Sequence, residues 1–121
     1  MKATSGHFLL SNDVQYSDLA EVFPEVLTTF LKETGQMPED EDVLRMFIQL
    51  NQVELERNEK PEGYNRKGRI RLVFPLDSKG FYIRGISKNN EVVRISEKIS
   101  RILKAASIKH ELDWNRLYMS E

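Results

Sequence analysis

The hydrophobic period of this chain changes twice, and that change limits the possible folds more than any other feature. Apolar residues recur at helical spacing as far as about residue 58 and alternate with polar residues from Arg69 to Ile86. After Glu91 they return to helical spacing. Because helices and strands are segregated along the chain, the pattern predicts an α+β protein. The length of 121 residues is typical of one domain, so we expect a single domain over 1–121.

Two helices are predicted in the first half of the chain. A short turn over 17–22 precedes a helix with Pro24 at its first position, where proline is tolerated, and Gly35 ends that helix. A second helix is predicted to begin at Pro38. Four acidic residues follow this proline and suit the positive end of a helix dipole. We expect this helix to run to about Asn58.

A β-hairpin is predicted between residues 69 and 86. Two alternating runs, 69–74 and 81–86, flank a segment of turn-forming residues. The apolar face of the hairpin comprises Ile70, Leu72, Phe74, Phe81 and Ile83, and the outward face comprises Arg69, Arg71, Tyr82 and Arg84. A lone hairpin is marginally stable, so we expect it to pack on about three helices. The apolar run at 7–10 is a candidate third strand of an antiparallel sheet.

The last helix is predicted from Glu91 to about His110. Asn89 and Asn90 supply the N-cap, because asparagine is favoured at that position. Asp113 is expected to cap a short final turn. That turn would carry three apolar residues that fold onto the core: Trp114, Leu117 and Tyr118.

The formal net charge of −1 conceals a strong charge asymmetry along the chain. Residues 1–62 hold five basic and thirteen acidic side chains, a net charge of −8. Residues 63–110 hold twelve basic and three acidic side chains, a net charge of +9, and the last eleven residues carry −2. We therefore divide the domain into an acidic helical part (about 14–62), a basic hairpin-plus-helix part (about 63–110) and a short tail (111–121).

The basic part suggests a nucleic-acid partner. Arginine and tyrosine alternate on the outward face of the hairpin, which suits phosphate neutralisation combined with base stacking. The last helix adds basic residues at spacings of four, three and three. The candidate nucleic-acid-binding residues are Arg66, Lys67, Arg69, Arg71, Tyr82, Arg84, Arg94, Lys98, Arg101 and Lys104, with Tyr64 as a second stacking candidate. These residues predict a small non-enzymatic protein that contacts the phosphate backbone of DNA or RNA.

The charge pattern also has two simpler origins. Exposed strand faces and helix flanks carry charge because they contact water, and the two halves could also dock on each other within the monomer. The alternative function is a protein-interaction adaptor or inhibitor that uses its acidic and basic surfaces, including the acidic segment 39–62. Such a protein would bind an acidic protein or a second copy of itself as a homodimer.

Enzymatic and metal chemistry are not indicated by the sequence. The absence of cysteine excludes disulfides, thiolate metal sites and thiol nucleophiles. His7 and His110 lack metal-ligand spacing, and the glycines match no phosphate-binding motif, so we expect no enzyme activity, no cofactor and no metal. The chain has no run typical of a signal peptide or a membrane span. We therefore expect a cytoplasmic protein without a membrane partner.

Overall fold

The structure, a computed structural model, describes residues 1–66 and 68–116 and confirms the α+β class. Its elements are β1 (Ala3–Leu10), α1 (Phe23–Glu33), α2 (Glu41–Glu56), β2 (Ile70–Val73), β3 (Gly80–Asn89), α3 (Asn90–Ala105) and β4 (His110–Trp114). A 3-10 turn, Tyr16–Leu19, precedes α1. The described residues form a sheet of four strands, one more than the three-stranded alternative considered from the sequence.

The four strands lie in the order β2-β3-β1-β4, and all neighbours are antiparallel. This is the split β-α-β arrangement, in which α1 and α3 serve as the two connecting helices. Helix α2 is an additional helix between α1 and β2. The predicted strand at 7–10 exists but is twice as long and central in the sheet. Its first half was missed because Thr4, Ser5 and Gly6 give no apolar alternation.

Helices α1 and α3 cover one face of the sheet, which we call the inner face. Helix α3 lies so close to β1 that a Cβ at Gly6 would overlap Ser96 Oγ. Phe23 of α1 contacts the Phe81 ring edge-on, with 6.2 Å between centroids, and Phe81 stacks on Phe8 at 4.6 Å. We call the opposite side the outer face. No helix in the described parts of the chain packs on it.

The predicted hydrophobic core is confirmed on the inner face. The five apolar hairpin residues are all buried: Ile70, Leu72, Phe74, Phe81 and Ile83. Helix α3 buries Val92, Ile95, Ile99 and Leu103, and Asn89 caps the helix as predicted by accepting the Val92 N–H at 2.8 Å. In α1, Pro24 lies in the first turn, and Gly35 follows the helix with φ 68°, as a C-terminal stop requires.

The predicted secondary structure at the end of the chain is wrong, although Trp114 packs against the core as expected. Helix α3 ends at Ala105 rather than near His110, because Ser107 adopts a left-handed conformation (φ 61°) that turns the chain. His110 instead begins β4, and Asp113 pairs with His7 of β1 in place of capping a turn. Leu117 and Tyr118 lie outside the described residues.

Helix α2 forms a third layer on the helical side of the molecule. It packs on α1 and the 3-10 turn and not on the sheet. It begins at Glu41 rather than Pro38, because Asp40 is the N-cap and accepts the Asp42 N–H at 2.8 Å. The buried side chain of Asn51 ties α2 to the following loop by accepting the Gly63 N–H at 2.7 Å. The inward side of α2 is held by the fully buried Leu55 and by Leu44, Phe47 and Ile48, which pack against the core.

Candidate functional site

Three of the predicted nucleic-acid-binding residues lie together on the outer face. Arg71 of β2 and Arg84 of β3 are directly opposite each other. Tyr82 lies opposite His7 of β1, and the two rings stack with centroids 5.0 Å apart. The Arg84 guanidinium lies 5.9 Å from the centre of the Tyr82 ring. The Arg71 guanidinium also donates to Asn65 Oδ1 at 3.5 Å.

The expectation that Tyr82 is exposed is wrong. The residue lies on the outer face as predicted, but only 2% of its surface is exposed. Its ring packs on His7 and under Arg84 and is not available to stack on a base. Strand alternation predicts which face a side chain occupies, but it does not predict what covers that face.

His7 belongs to a buried polar cluster beside Tyr82. His7 Nε2 accepts the Arg116 backbone N–H at 3.2 Å and lies 2.7 Å from Ser5 Oγ, so the serine hydroxyl donates to the same nitrogen. Asp113, opposite His7, accepts the Trp114 N–H and an Arg116 guanidinium N–H, which lower the pKa of its carboxyl. Ser5 and His7 are fully buried, so this serine–histidine pair serves packing and has no substrate access.

Three other candidate cations are engaged within the protein. Arg94 and Lys98 of α3 bind the Glu33 carboxylate of α1 at 2.6 and 2.9 Å. Hydrogen bonds from Lys98 and then Arg94 hold the pKa of Glu33 at about 2. Arg69 binds Glu91 at the start of α3 at 2.7 Å. These contacts neutralise part of the charge that the sequence assigns to a nucleic-acid surface.

The remaining candidates do not join the arginines of the outer face. Arg101 and Lys104 are exposed, and neither forms an ion pair within the described segments, but α3 lies on the inner side of the sheet. The Arg66 guanidinium lies 5.0 Å above the Phe47 ring beside α2. Lys67 lies outside the described residues. The sheet therefore separates the predicted cations into at least two groups.

Tyr64, the second stacking candidate, is anchored in the fold. Its backbone pairs with Leu72, with N···O distances of 2.7 and 3.1 Å. Its half-buried ring packs against Phe30 and Phe47. The loop around it is thus positioned by α1 and α2.

Helix α2 exposes a row of large apolar side chains that the sequence interpretation missed. Met46, Leu50 and Val53 are 48, 57 and 38% exposed and occupy positions i, i+4 and i+7. Leu50 faces solvent although it lies at helical spacing from Val43 and Phe47, which are half-buried. The available signal was the number of apolar positions in α2, which exceeds what one helix face can bury.

Two grooves adjoin this row. One, of about 420 Å³, is shallow, opens widely to solvent and is lined only by residues of α2, from Asp42 to Glu54. A smaller one, of about 180 Å³, lies between α2 and the loop at 62–66. We call the exposed row, the two grooves and the charges around them (residues 39–66) the α2 surface.

Acidic residues surround the exposed row. Residues 39–62 hold eight acidic and three basic side chains, a net charge of −5. Arg45, one of the three basic residues, is bound to Asp42 at 2.9 Å. No acid of 39–62 forms an ion pair with the basic part of the chain as far as the structure describes it. The two halves therefore neutralise each other at Glu33 and at the 3.8 Å pair of Asp13 with Lys109, but not at the α2 surface.

Comparison with known proteins adds no functional information. No protein-family model matches the chain, no curated protein matches it, and no solved structure matches it. Within residues 1–66 and 68–116, no three His, Asp or Glu side chains are grouped to hold a metal ion. The helices of this part of the chain are all too short or too polar to cross a membrane.

Proposed function

We propose that this chain is a protein-interaction module that binds a different protein through the α2 surface. The observation that supports this most is the row of Met46, Leu50 and Val53, three large apolar side chains exposed side by side. Large exposed apolar patches with polar rims mark interaction sites in monomeric proteins. Single exposed apolar residues elsewhere, such as Ile86, have no such neighbours and imply no function.

Charge favours a different protein over a second copy. A homodimer through α2 would bring together two surfaces of net charge −5, and such repulsion opposes association. A partner of opposite charge would instead be attracted by the same acidic residues. The adaptor or inhibitor alternative is therefore the function that the geometry supports best.

Site-specific photo-cross-linking in cells that make the protein tests this proposal. A photoreactive residue replaces Gln49, which lines the larger groove, or Lys88, which is exposed on β3. We expect one adduct of a defined larger mass from position 49 and none from position 88. Leu50→Glu should abolish the adduct because it places a charge in the apolar row.

The matched control is Ile86→Glu, which changes an apolar residue that is 82% exposed but lies outside the α2 surface. It should leave the adduct unchanged. Equal adducts from both positions, or an adduct with only twice the mass of this chain, would contradict the proposal.

Nucleic-acid binding remains a second candidate because Arg71 and Arg84 lie directly opposite each other on the outer face. Two guanidinium groups side by side can present several N–H donors to one phosphate. The acids of the α2 surface lie in the third layer of the fold, which does not contact the sheet. Contacts of this kind would be sequence-tolerant, since they involve phosphates.

Binding of single-stranded oligonucleotides at a series of salt concentrations tests this candidate. If Arg71 contacts one phosphate, Arg71→Gln should lower the slope of log K against log salt by about 0.7. Arg57→Gln, at the end of α2, is the control and should not change the slope. No binding at low salt, or equal effects of both variants, would exclude the candidate.

A further inference from the structure

We propose that the occupant of the α2 surface is a basic amphipathic helix of the partner protein. This inference rests on the proposed function and specifies the chemistry of the partner. It follows from the spacing of the apolar row, the state of the α2 backbone and the distribution of charge around the row.

The spacing of the exposed row fits a helical ligand. Met46 and Val53 are seven residues apart on α2, which corresponds to about 10 Å along the helix axis. A second helix lying along this row presents apolar residues with the same repeat, so that the side chains of the two helices interdigitate. The groove of about 420 Å³ follows the row over that length.

The backbone of α2 excludes strand addition at this surface. Its N–H and C=O groups are bonded within the helix, so a bound segment meets side chains only. Removing backbone N–H and C=O groups from water costs less free energy when they are hydrogen-bonded within the segment. This condition is met in a helix but not in an extended segment. The smaller groove, between Leu50 and Tyr64, can take one apolar side chain from the end of such a helix.

The charge around the row selects basic flanks. Asp42 and Glu54 line the larger groove, and Glu62 lines the smaller one. Arg45 pairs with Asp42, so these two charges offset each other, whereas Glu54 and Glu62 form no ion pair within the described residues. Residues 39–62 as a whole carry a net charge of −5. Lysine or arginine on both flanks of the ligand helix would therefore face mainly carboxylates.

Two designed peptides of about 20 residues test the inference by titration against the whole protein. Both carry leucine at i, i+4, i+7 and i+11. One has lysine and the other glutamate at the flanking positions. We expect the lysine peptide to bind at least tenfold more tightly, to weaken with added salt, and to shift the amide resonances of 41–56 and 62–66.

Variants separate apolar contact from charge attraction. Leu50→Glu adds a negative charge, so simple attraction of a cation would increase, but we expect at least a tenfold loss of affinity for the lysine peptide. Ile86→Glu adds the same charge elsewhere and should leave binding unchanged. The double variant Glu54→Lys with Glu62→Lys should reduce the preference for the lysine peptide or reverse it.

The outcomes distinguish this inference from the proposed function. If both peptides bind equally, or neither binds while the adduct from position 49 persists, the basic helix is wrong and the interaction module stands. If the adduct is also missing, the proposed function fails with it. A discrete homodimer blocked by Leu50→Glu in sedimentation would identify a second copy as the occupant and overturn the inference.

Discussion

Glu33 links the acidic and basic parts of the chain through a single carboxylate. It lies at the end of α1 and binds Arg94 and Lys98, which are four residues apart on α3. Hydrogen bonds from these two cations lower its pKa from 4.5 to about 2. The residue therefore fastens α1 to α3 only while it is ionised.

This state of Glu33 predicts a pH-dependent contribution to stability. A lowered pKa in the folded protein stabilises it above the unfolded value of about 4.5, and that stabilisation is lost as the pH falls through about 2. Glu33→Gln should therefore lower the urea midpoint at pH 7, and the difference from the unmodified protein should shrink between pH 4.5 and 2. Urea titrations at pH 7, 4 and 2 measure it.

Glu56→Gln, on the exposed side of α2, is the control and should show no comparable loss that disappears with acid. If the urea midpoints of Glu33→Gln and the unmodified protein differ equally at pH 7 and pH 2, the carboxylate charge does not hold α1 to α3.

At the scale of elements, the packing of α3 on β1 depends on the smallest side chain available. Gly6 lies beneath Ser96, and an added Cβ would overlap Ser96 Oγ and lie 2.8 Å from Ser96 Cβ. The neighbouring backbone on both sides belongs to regular elements, so it cannot move without disturbing the core. This close approach holds the third helix near the centre of the sheet.

Gly6→Ala should destabilise the protein by about 1–3 kcal/mol, the usual cost of overpacking a core. If the clash with Ser96 is the main cause, the cost should be smaller in a Ser96→Gly background, where the closest remaining contact of the methyl group is Trp114 Cζ3 at 3.1 Å. Denaturant unfolding of the four proteins of this cycle gives the coupling energy. Equal costs in both backgrounds would assign the effect to the backbone of β1.

Elements with regular periodicity could be predicted, and those held by less regular patterns could not. The hairpin and α3 follow from alternation and from the stripe of Val92, Ile95 and Ile99, and both are confirmed. The first half of β1 was missed because its side chains are polar or small. Strand β4 was missed because its two apolar residues, Leu112 and Trp114, are too few to establish an alternating pattern. Their positions come from pairing with strands distant in sequence, which local patterns do not encode.

The same limit applies to the candidate site. Sequence alternation placed Arg71, Tyr82 and Arg84 on one face correctly, but burial of Tyr82 depends on contacts across the sheet. The exposure of Leu50 depends on which side of α2 meets α1, and both sides are apolar enough to be buried. A helix with apolar residues on two sides leaves that choice to tertiary packing.

For the whole molecule, the structure cancels part of the charge in ion pairs and separates the rest. The α2 surface is acidic, and the exposed cations lie on the outer face and along α3. The sheet stands between these two groups of cations, and Glu33 is the acid of the first half that pairs with α3 within the described chain. A nearly neutral protein can thus attract partners of opposite sign at different sites.

The position of α2 outside the two-layer core has a consequence for how this protein can diverge. Only Asn51 and Leu55 of α2 are buried, whereas α3 buries seven residues, so substitutions on the solvent side of α2 cost little folding free energy. Related chains could exchange Met46, Leu50 and Val53 for other side chains while keeping the same sheet. The binding specificity of α2 could then change while the sheet and the two helices packed on it keep the same fold.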